Sequence, residues 1–119
     1  TIVVERRGRF RNVTVAAMLI PTNDSFFSVM DVTGPRGRQE IVLFSPAYDA
    51  GSERNDELCA SIPGPAFSEC GGAGGGAKVE QGEGFVHISS GIHGIGSFKP
   101  SSRDWRNPVA RIVIRRVNE

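Results

Sequence analysis

The sequence predicts an all-β fold, and three observations support this prediction. Apolar residues alternate with polar ones over short stretches, which is the pattern of half-buried strands. No window of ten or more residues shows the periodicity of an amphipathic helix. The 15 glycines and 7 prolines in 119 residues favour many turns and loops. Short strands joined by such connections are typical of an antiparallel β-sandwich, which is the architecture that we expect.

Four strands are expected in the first half of the chain. They are Ile2-Val3-Val4, residues 13–19, residues 26–29 and residues 40–44. The second is the clearest, because Val13, Val15 and Ala17 alternate with other residues along it. The residues between the last two of these strands, Thr33-Gly34-Pro35-Arg36-Gly37, predict a turn.

The second half of the chain begins with a long irregular region, residues 45–84. Within it Gly71–Gly76 is nearly all glycine, without the lysine and following helix of a phosphate-binding loop, so we interpret it as a flexible loop. Strand patterning returns at residues 84–88 and again at residues 108–117. The sequence therefore predicts one domain spanning residues 1–119, with residues 45–84 mostly loop.

Charge and hydropathy exclude two classes of partner. The formal net charge is +1, whereas proteins that bind nucleic acid rely on a clustered basic excess. No apolar run approaches the ~20 residues that a membrane-spanning helix needs. The chain has no initiator methionine and no signal-peptide pattern, so we expect it to be a processed or truncated product.

Acidic residues are concentrated in the segment that follows the strand ending near Phe44. Four of them stand close together, on a stretch without helical or strand periodicity: Asp49, Glu53, Asp56 and Glu57. Crowded carboxylates at a strand end repel one another unless a cation lies between them. Ca²⁺ takes about six to eight oxygen ligands from flexible loops of this kind. The segment is therefore either a calcium site or a solvated acidic turn.

The two cysteines, Cys59 and Cys70, indicate an oxidising environment. The segment between them contains Pro63-Gly64-Pro65, which cannot continue a helix and can turn the chain so that the cysteines meet. A zinc site would need more ligands, and the sequence has neither a Cys-x-x-Cys pair nor a nearby histidine. We expect a Cys59–Cys70 disulfide, with two reduced thiols as the alternative. A disulfide would imply a secreted, extracellular or periplasmic protein.

Four stretches of the chain together resemble a known family. They are residues 17–27, residues 48–53, residues 83–87 together with 91–96, and residues 104–111. In this order they closely resemble the bacterial branch of the spondin domain family, which is similar to the N-terminal spondin domain of the animal F-spondins. The resemblance covers nearly all of residues 10–117. It implies a C2-like β-sandwich, secretion, a structural or cell-adhesion role, and bound Ca²⁺ near the loops at one end.

The resemblance also implies which residues bind the metal. The family's acidic positions correspond to Asp24 in Pro-Thr-Asn-Asp, to Asp49 in Tyr-Asp-Ala-Gly, and to Glu53. Animal members tend to have aspartate where Glu53 stands, so this longer side chain is a departure from the family pattern. Further oxygen donors are available nearby: Asn23, Asn55, Asp56 and Glu57.

A second departure from the family concerns the N-terminus. The family domain begins well upstream of the segment that matches Thr1-Ile2-Val3-Val4, so the resemblance implies that at least one strand is missing. A sandwich without that strand would expose unpaired backbone groups at a sheet edge. The gap could be filled by another segment, by a rearranged sheet, or by a protein partner or neighbouring subunit that adds a strand. The last case would build an extracellular assembly or a filament.

Two other kinds of site are compatible with the sequence. His87 and His93, with Asp104 downstream, could bind a transition metal, although histidines at such spacing also serve to pin loops by hydrogen bonds. A secreted hydrolase is the competing class of function, because serines and histidines are present. The chain has no Gly-x-Ser-x-Gly motif, and no cysteine is free if the disulfide forms. We therefore expect a calcium-binding module without catalytic activity.

Overall fold

The computed structural model describes residues 1–5, 8–63, 67–72, 74–78 and 81–117. These residues form six β-strands, one short α-helix and two 3-10 turns. The strands are β1 (Asn12–Met18), β2 (Ser25–Thr33), β3 (Glu40–Ser45), β4 (Tyr48–Asp49), β5 (His87–Ile88) and β6 (Ala110–Arg115). The helix is α1 (Pro100–Arg103), and the 3-10 turns are Cys59–Ser61 and Ser68–Cys70. The chain is thus mostly β with almost no helix, as predicted.

The larger sheet has the strand order β1-β2-β4-β5 and is antiparallel throughout. β1 and β2 form its long hairpin, in which Val15 pairs with Val29 and Ala17 pairs with Phe27. A register shift between Val13 and Val15 marks a bulge near the start of β1. The two-residue strand β4 pairs with the other side of β2 at Ser25 and Phe26. The sheet therefore has four strands at the end that carries the acidic loop and only β1 and β2 at the opposite end.

The smaller sheet consists of β3 and β6, which pair in one continuous antiparallel register from Glu40–Arg115 to Ser45–Ala110. Its aliphatic side chains alternate between a partly buried face and an exposed face. The partly buried face carries Ile41, Leu43, Ile112 and Ile114. A hydrogen bond of 3.0 Å from the Ser28 amide to the buried Ser45 hydroxyl connects this sheet to the larger one.

The best-buried apolar cluster lies in the loop-rich part of the chain and not on a strand. Ile62, Ile92 and Phe98 form it, and all three are at most 5% exposed. Four partly buried residues pack against the cluster: Cys59, Phe67, Cys70 and Trp105. The predicted disulfide between Cys59 and Cys70 is confirmed, with the two Cα atoms 5.5 Å apart. The cross-link therefore closes the loop directly over the cluster.

Three expectations for local structure need correction or restriction. Ile2-Val3-Val4 begins no strand, because no described segment pairs with it and its side chains are 86%, 69% and 64% exposed. The strand expected over residues 84–88 is reduced to His87–Ile88. Parts of Pro63-Gly64-Pro65 and of Gly71–Gly76 lie outside the described residues.

Candidate metal centre

An acidic site surrounds the short strand β4 and the loop that follows it. β4 lies between β2 and β5, with Asp49 opposite Ser25 on one side and opposite His87 on the other. Beyond β4, an isolated antiparallel bridge joins Glu53 to Gln81. The start of β2, the loop after β4 and the segment before β5 therefore meet at one place.

Carboxylates are buried at this place to an unusual extent. Asp24 is 7% exposed, Asp49 1%, Glu53 6% and Glu57 3%. None of the four forms a salt bridge within the described ranges. Burial of an ionised carboxylate is unfavourable unless hydrogen bonds or a cation replace the lost hydration. The partners of each oxygen atom therefore decide what the site can bind.

The two oxygens of Asp24 have different surroundings. Oδ2 accepts three hydrogen bonds, from the Ser52 amide at 2.7 Å, the Ser52 hydroxyl at 2.9 Å and the Glu53 amide at 2.9 Å. Oδ1 is buried and has no hydrogen-bond partner among the described residues. Asp24 therefore fixes the loop after β4 with one oxygen and leaves the other unsatisfied in the interior.

Glu53 also has a buried oxygen, Oε2, that no described residue contacts by a hydrogen bond. Burial raises the pKa of Glu53, and the neighbouring charge of Asp24 raises it further, while a hydrogen bond from the Lys78 backbone acts in the opposite direction. The charge of Asp24 thus disfavours the ionised form of Glu53. A cation bound between the unpartnered oxygens would remove both the repulsion and the unsatisfied burial.

Asp49 is the most buried of these carboxylates, and each of its oxygens accepts one hydrogen bond. The Gly51 amide donates to Oδ1 at 2.8 Å, and the Asn55 amide group donates to Oδ2 at 2.6 Å. A carboxylate has about four lone-pair sites, so Asp49 retains acceptor capacity. Its carboxylate lies within 4.8 Å of possible ligand atoms of Glu83 and His87.

Three of the further oxygen donors named from the sequence hold the loop in place through hydrogen bonds. The Glu57 carboxylate accepts backbone N–H groups of three consecutive residues, 93–95. Asn23 donates to Asp56 at 3.1 Å and accepts from the Glu57 amide at 3.3 Å. Asp56 is partly desolvated, but hydrogen bonds from the Leu58 amide, from Ser61 and from Asn23 outweigh this effect and lower its pKa.

The described residues contain one group of three side chains that could hold a metal ion: Asp49, Glu83 and His87. His93 and Asp104, which the sequence placed with His87, do not belong to this group. Asp104 instead accepts a hydrogen bond of 3.0 Å from the Ile92 amide. That bond and one from the Trp105 backbone lower the pKa of Asp104, with a smaller contribution from the charge of His93. Asp104 therefore fixes the loop that carries His93.

Glu83 was not identified as a candidate ligand from the sequence. The signal for it is the pairing of Asp49 with His87, since that pairing aligns the segment before β5 with the acidic loop. This pairing cannot be read from the sequence, because β4 and β5 are two residues long and lie on either side of a long irregular region.

Comparisons with known proteins give no assignment. No protein-family model, no curated protein and no solved structure matches the chain. A search of the described residues for a helix long and apolar enough to cross a membrane found none.

Proposed function

We propose that this chain is a secreted, calcium-binding structural or adhesive module of the spondin type, with a C2-like β-sandwich architecture and no catalytic activity. The observation that carries the proposal is the presence, on neighbouring acidic residues, of two buried carboxylate oxygens without a hydrogen-bond partner in the described part of the chain, Asp24 Oδ1 and Glu53 Oε2. Asp24 and Glu53 are also two of the three metal-binding positions that the family resemblance implies.

The chemistry of the site favours Ca²⁺. Every candidate donor is a hard oxygen, and Glu53 and Asn55 lie on the loop after β4, which could adjust to a large ion. Asp49 retains free lone pairs, and the side-chain oxygen of Asn55 accepts no hydrogen bond from the described residues. Backbone carbonyls and water would complete a shell of about six to eight oxygens. Mg²⁺ would substitute poorly because it requires a smaller octahedral shell.

Thermal unfolding with and without Ca²⁺ tests the proposal. Binding to the native state alone raises the free energy of unfolding by RT ln(1 + [L]/Kd), so Ca²⁺ should raise Tm and chelation should lower it. Asp24→Asn and Glu53→Gln should abolish this response. Glu40→Gln, which changes an exposed acid on the smaller sheet, is the matched control and should retain it. If the Tm of the wild-type protein is the same in Ca²⁺ and in chelator, the calcium site does not exist.

Glu53→Gln also separates binding from simple destabilisation. Without metal, this variant removes a carboxylate whose pKa is raised by burial and by Asp24, so its Tm at neutral pH should be at or above that of the wild type. Loss of the calcium response without loss of apo stability would therefore identify Glu53 as a ligand. Asp24→Asn cannot separate loss of binding from loss of stability in this way, because Asp24 also fixes the loop after β4.

The extracellular setting in this proposal is supported by the Cys59–Cys70 disulfide, which leaves no free cysteine. Disulfides persist in oxidising compartments and are rare in the cytosol. Mass spectrometry of the secreted protein under non-reducing conditions tests this setting. Two alkylatable thiols in that sample would contradict it.

We propose assembly by strand addition as the second part of the function. The aliphatic face of the smaller sheet is only partly buried, and neither β3 nor β6 has a second neighbour among the described strands. Ile2-Val3-Val4, three β-branched and mainly exposed residues, has the composition of a donor strand. The proposed occupant of the open edge is this segment of a second copy.

Light scattering coupled to size-exclusion chromatography tests the assembly. The wild type should form dimers or longer species, and Val3→Asp should shift it towards monomer. Thr1→Asp adds the same charge outside the aliphatic triplet and should leave the assembly unchanged. A wild-type protein that is monomeric at all concentrations would refute strand addition between copies.

A further inference from the structure

A second metal-ligand set lies beside the proposed calcium site and differs from it in chemistry. Asp49, Glu83 and His87 each offer one ligand atom, and these three atoms lie within 4.8 Å of one another. Ligands bound to Zn²⁺ at about 2.0–2.2 Å are roughly 3–4 Å apart. Only small side-chain rotations would therefore bring the three atoms into one coordination shell. Glu83 is exposed and forms no hydrogen bond or ion pair with the described residues, so it is free to make such a rotation.

The hydrogen bond of His87 leaves one ring nitrogen available for a metal. Nδ1 lies 3.2 Å from the Phe85 carbonyl oxygen. A carbonyl oxygen can only accept a hydrogen bond, so Nδ1 is the donor and Nε2 is the ring nitrogen left for a metal. Histidine ligands in metal sites commonly donate their second nitrogen to a carbonyl in this way, which fixes both tautomer and ring orientation.

The backbone holds the segment that carries Glu83 close against the acidic loop. A Cβ atom at Gly82 would collide with the backbone of residues 51–53, and one at Gly51 would collide with the backbone of Phe85. The Gly84 amide donates a hydrogen bond of 2.8 Å to the Gly51 carbonyl. Because Gly51 and Gly82 have no side chains, the two backbone segments can approach closely enough to bring Glu83 and His87 to Asp49.

The charge of the buried Asp49 supplies an independent reason for a cation. This carboxylate is 1% exposed, and its partners are the neutral Gly51 and Asn55 N–H groups. It forms no salt bridge in the part of the chain that the structure describes. Neutral donors compensate only part of the hydration lost by a buried anion. A metal ion would supply the missing positive charge.

We propose that Asp49, Glu83 and His87 bind a divalent transition metal, with Zn²⁺ as the best fit. One imidazole and two carboxylates are suitable ligands for Zn²⁺, whereas the nitrogen ligand distinguishes this set from the oxygen-only set that favours Ca²⁺. Three protein ligands leave a coordination position for water or for a donor from a partner molecule. Asp49 is common to this site and to the proposed calcium site, and the other ligands differ.

Isothermal titration with Zn²⁺ tests the site, and Co²⁺ provides a spectroscopic check because its visible absorption reports inner-sphere coordination. His87→Ala and Glu83→Gln should each weaken Zn²⁺ binding by at least about tenfold, since even outer-shell changes at such sites have effects of this size. His93→Ala is the matched control, because its imidazole lies outside the three-ligand set, and it should bind Zn²⁺ as the wild type does.

The outcomes separate this inference from the calcium proposal. Glu53→Gln should lose the calcium response and keep Zn²⁺ binding, whereas His87→Ala should do the reverse. Zn²⁺ binding that depends on His87 would support the inference even if the calcium response is absent. Absence of Zn²⁺ binding to the wild type, or equal losses in His87→Ala and His93→Ala, would overturn it.

Discussion

Removal of the Cys59–Cys70 disulfide is the perturbation whose magnitude follows most directly from the structure. The bridge joins two residues 11 positions apart and closes a loop over the cluster of Ile62, Ile92 and Phe98. The cluster contains most of the fully buried apolar side chains among the described residues. Cross-linking limits the unfolded chain more than the folded one, so loss of the bridge should lower the free energy of unfolding.

The expected cost can be worked out from the loop length. For a separation of 11 residues the loop-closure entropy is about 9 cal/mol/K, which corresponds to about 2.8 kcal/mol at 25 °C. A chain of 119 residues has an unfolding entropy of about 250 cal/mol/K near its transition. Dividing the lost free energy of about 2.8 kcal/mol by this unfolding entropy predicts that Tm falls by about 11 °C.

Differential scanning calorimetry should compare three forms: the oxidised wild type, the reduced wild type and the Cys59→Ala/Cys70→Ala double variant. The reduced wild type isolates the cross-link, since both cysteine side chains still pack against the cluster. The double variant should be slightly less stable, because it also loses packed sulfur atoms. A reduced protein that melts within about 3 °C of the oxidised one would contradict the loop-entropy reasoning.

Three further predictions concern residues outside the proposed metal sites. The Glu69 carboxylate binds Arg103 through two hydrogen bonds of 2.7 and 2.9 Å, which lower the pKa of Glu69 to about 2 from its usual 4.5. A lowered pKa stabilises the fold above pH 4.5, and this contribution is lost as the pH falls through about 2. The Tm difference between wild type and Glu69→Gln should therefore be largest above pH 4.5 and vanish only below about pH 2. Phe98→Ala should cost about 3–5 kcal/mol in urea denaturation because Phe98 is 1% exposed, whereas Phe10→Ala, at a 74% exposed site, should cost less than about 0.5 kcal/mol. Glu57→Gln should cost about 1–3 kcal/mol by the same measurement, because an amide NH₂ would face backbone N–H donors that now bind a carboxylate.

Local sequence patterns predicted the longer strands and the disulfide. β1, β3 and β6 lie close to where the alternation of aliphatic residues placed them, because each has enough residues to show a period of two. The cysteines bridge because the chain between them is short and cannot form a continuous helix. The same reasoning was wrong for Ile2-Val3-Val4, since β-branched composition favours a strand only when another strand is available to pair with it.

The roles of the acidic residues were decided by the tertiary structure. The sequence grouped Asp49, Glu53, Asp56 and Glu57 as equivalent candidates, and nothing in their order distinguishes them. In the folded chain Glu57 is saturated by backbone N–H groups, whereas Glu53 retains an unpartnered buried oxygen. Whether an oxygen is free to bind a metal depends on which donors surround it, and for Glu57 those donors are residues 93–95, far away in the chain.

Local periodicity and short-range chain geometry were enough to predict the β class, the positions of the long strands and the covalent cross-link. Only the tertiary structure placed Glu83 and His87 beside Asp49. That placement depends on two-residue strands and on the close approach of Gly51 and Gly82, which leave no periodic signal. Long-range pairing of short segments is fixed by the packing of the whole chain, and for this reason the group of Asp49, Glu83 and His87 could be found only in the folded chain.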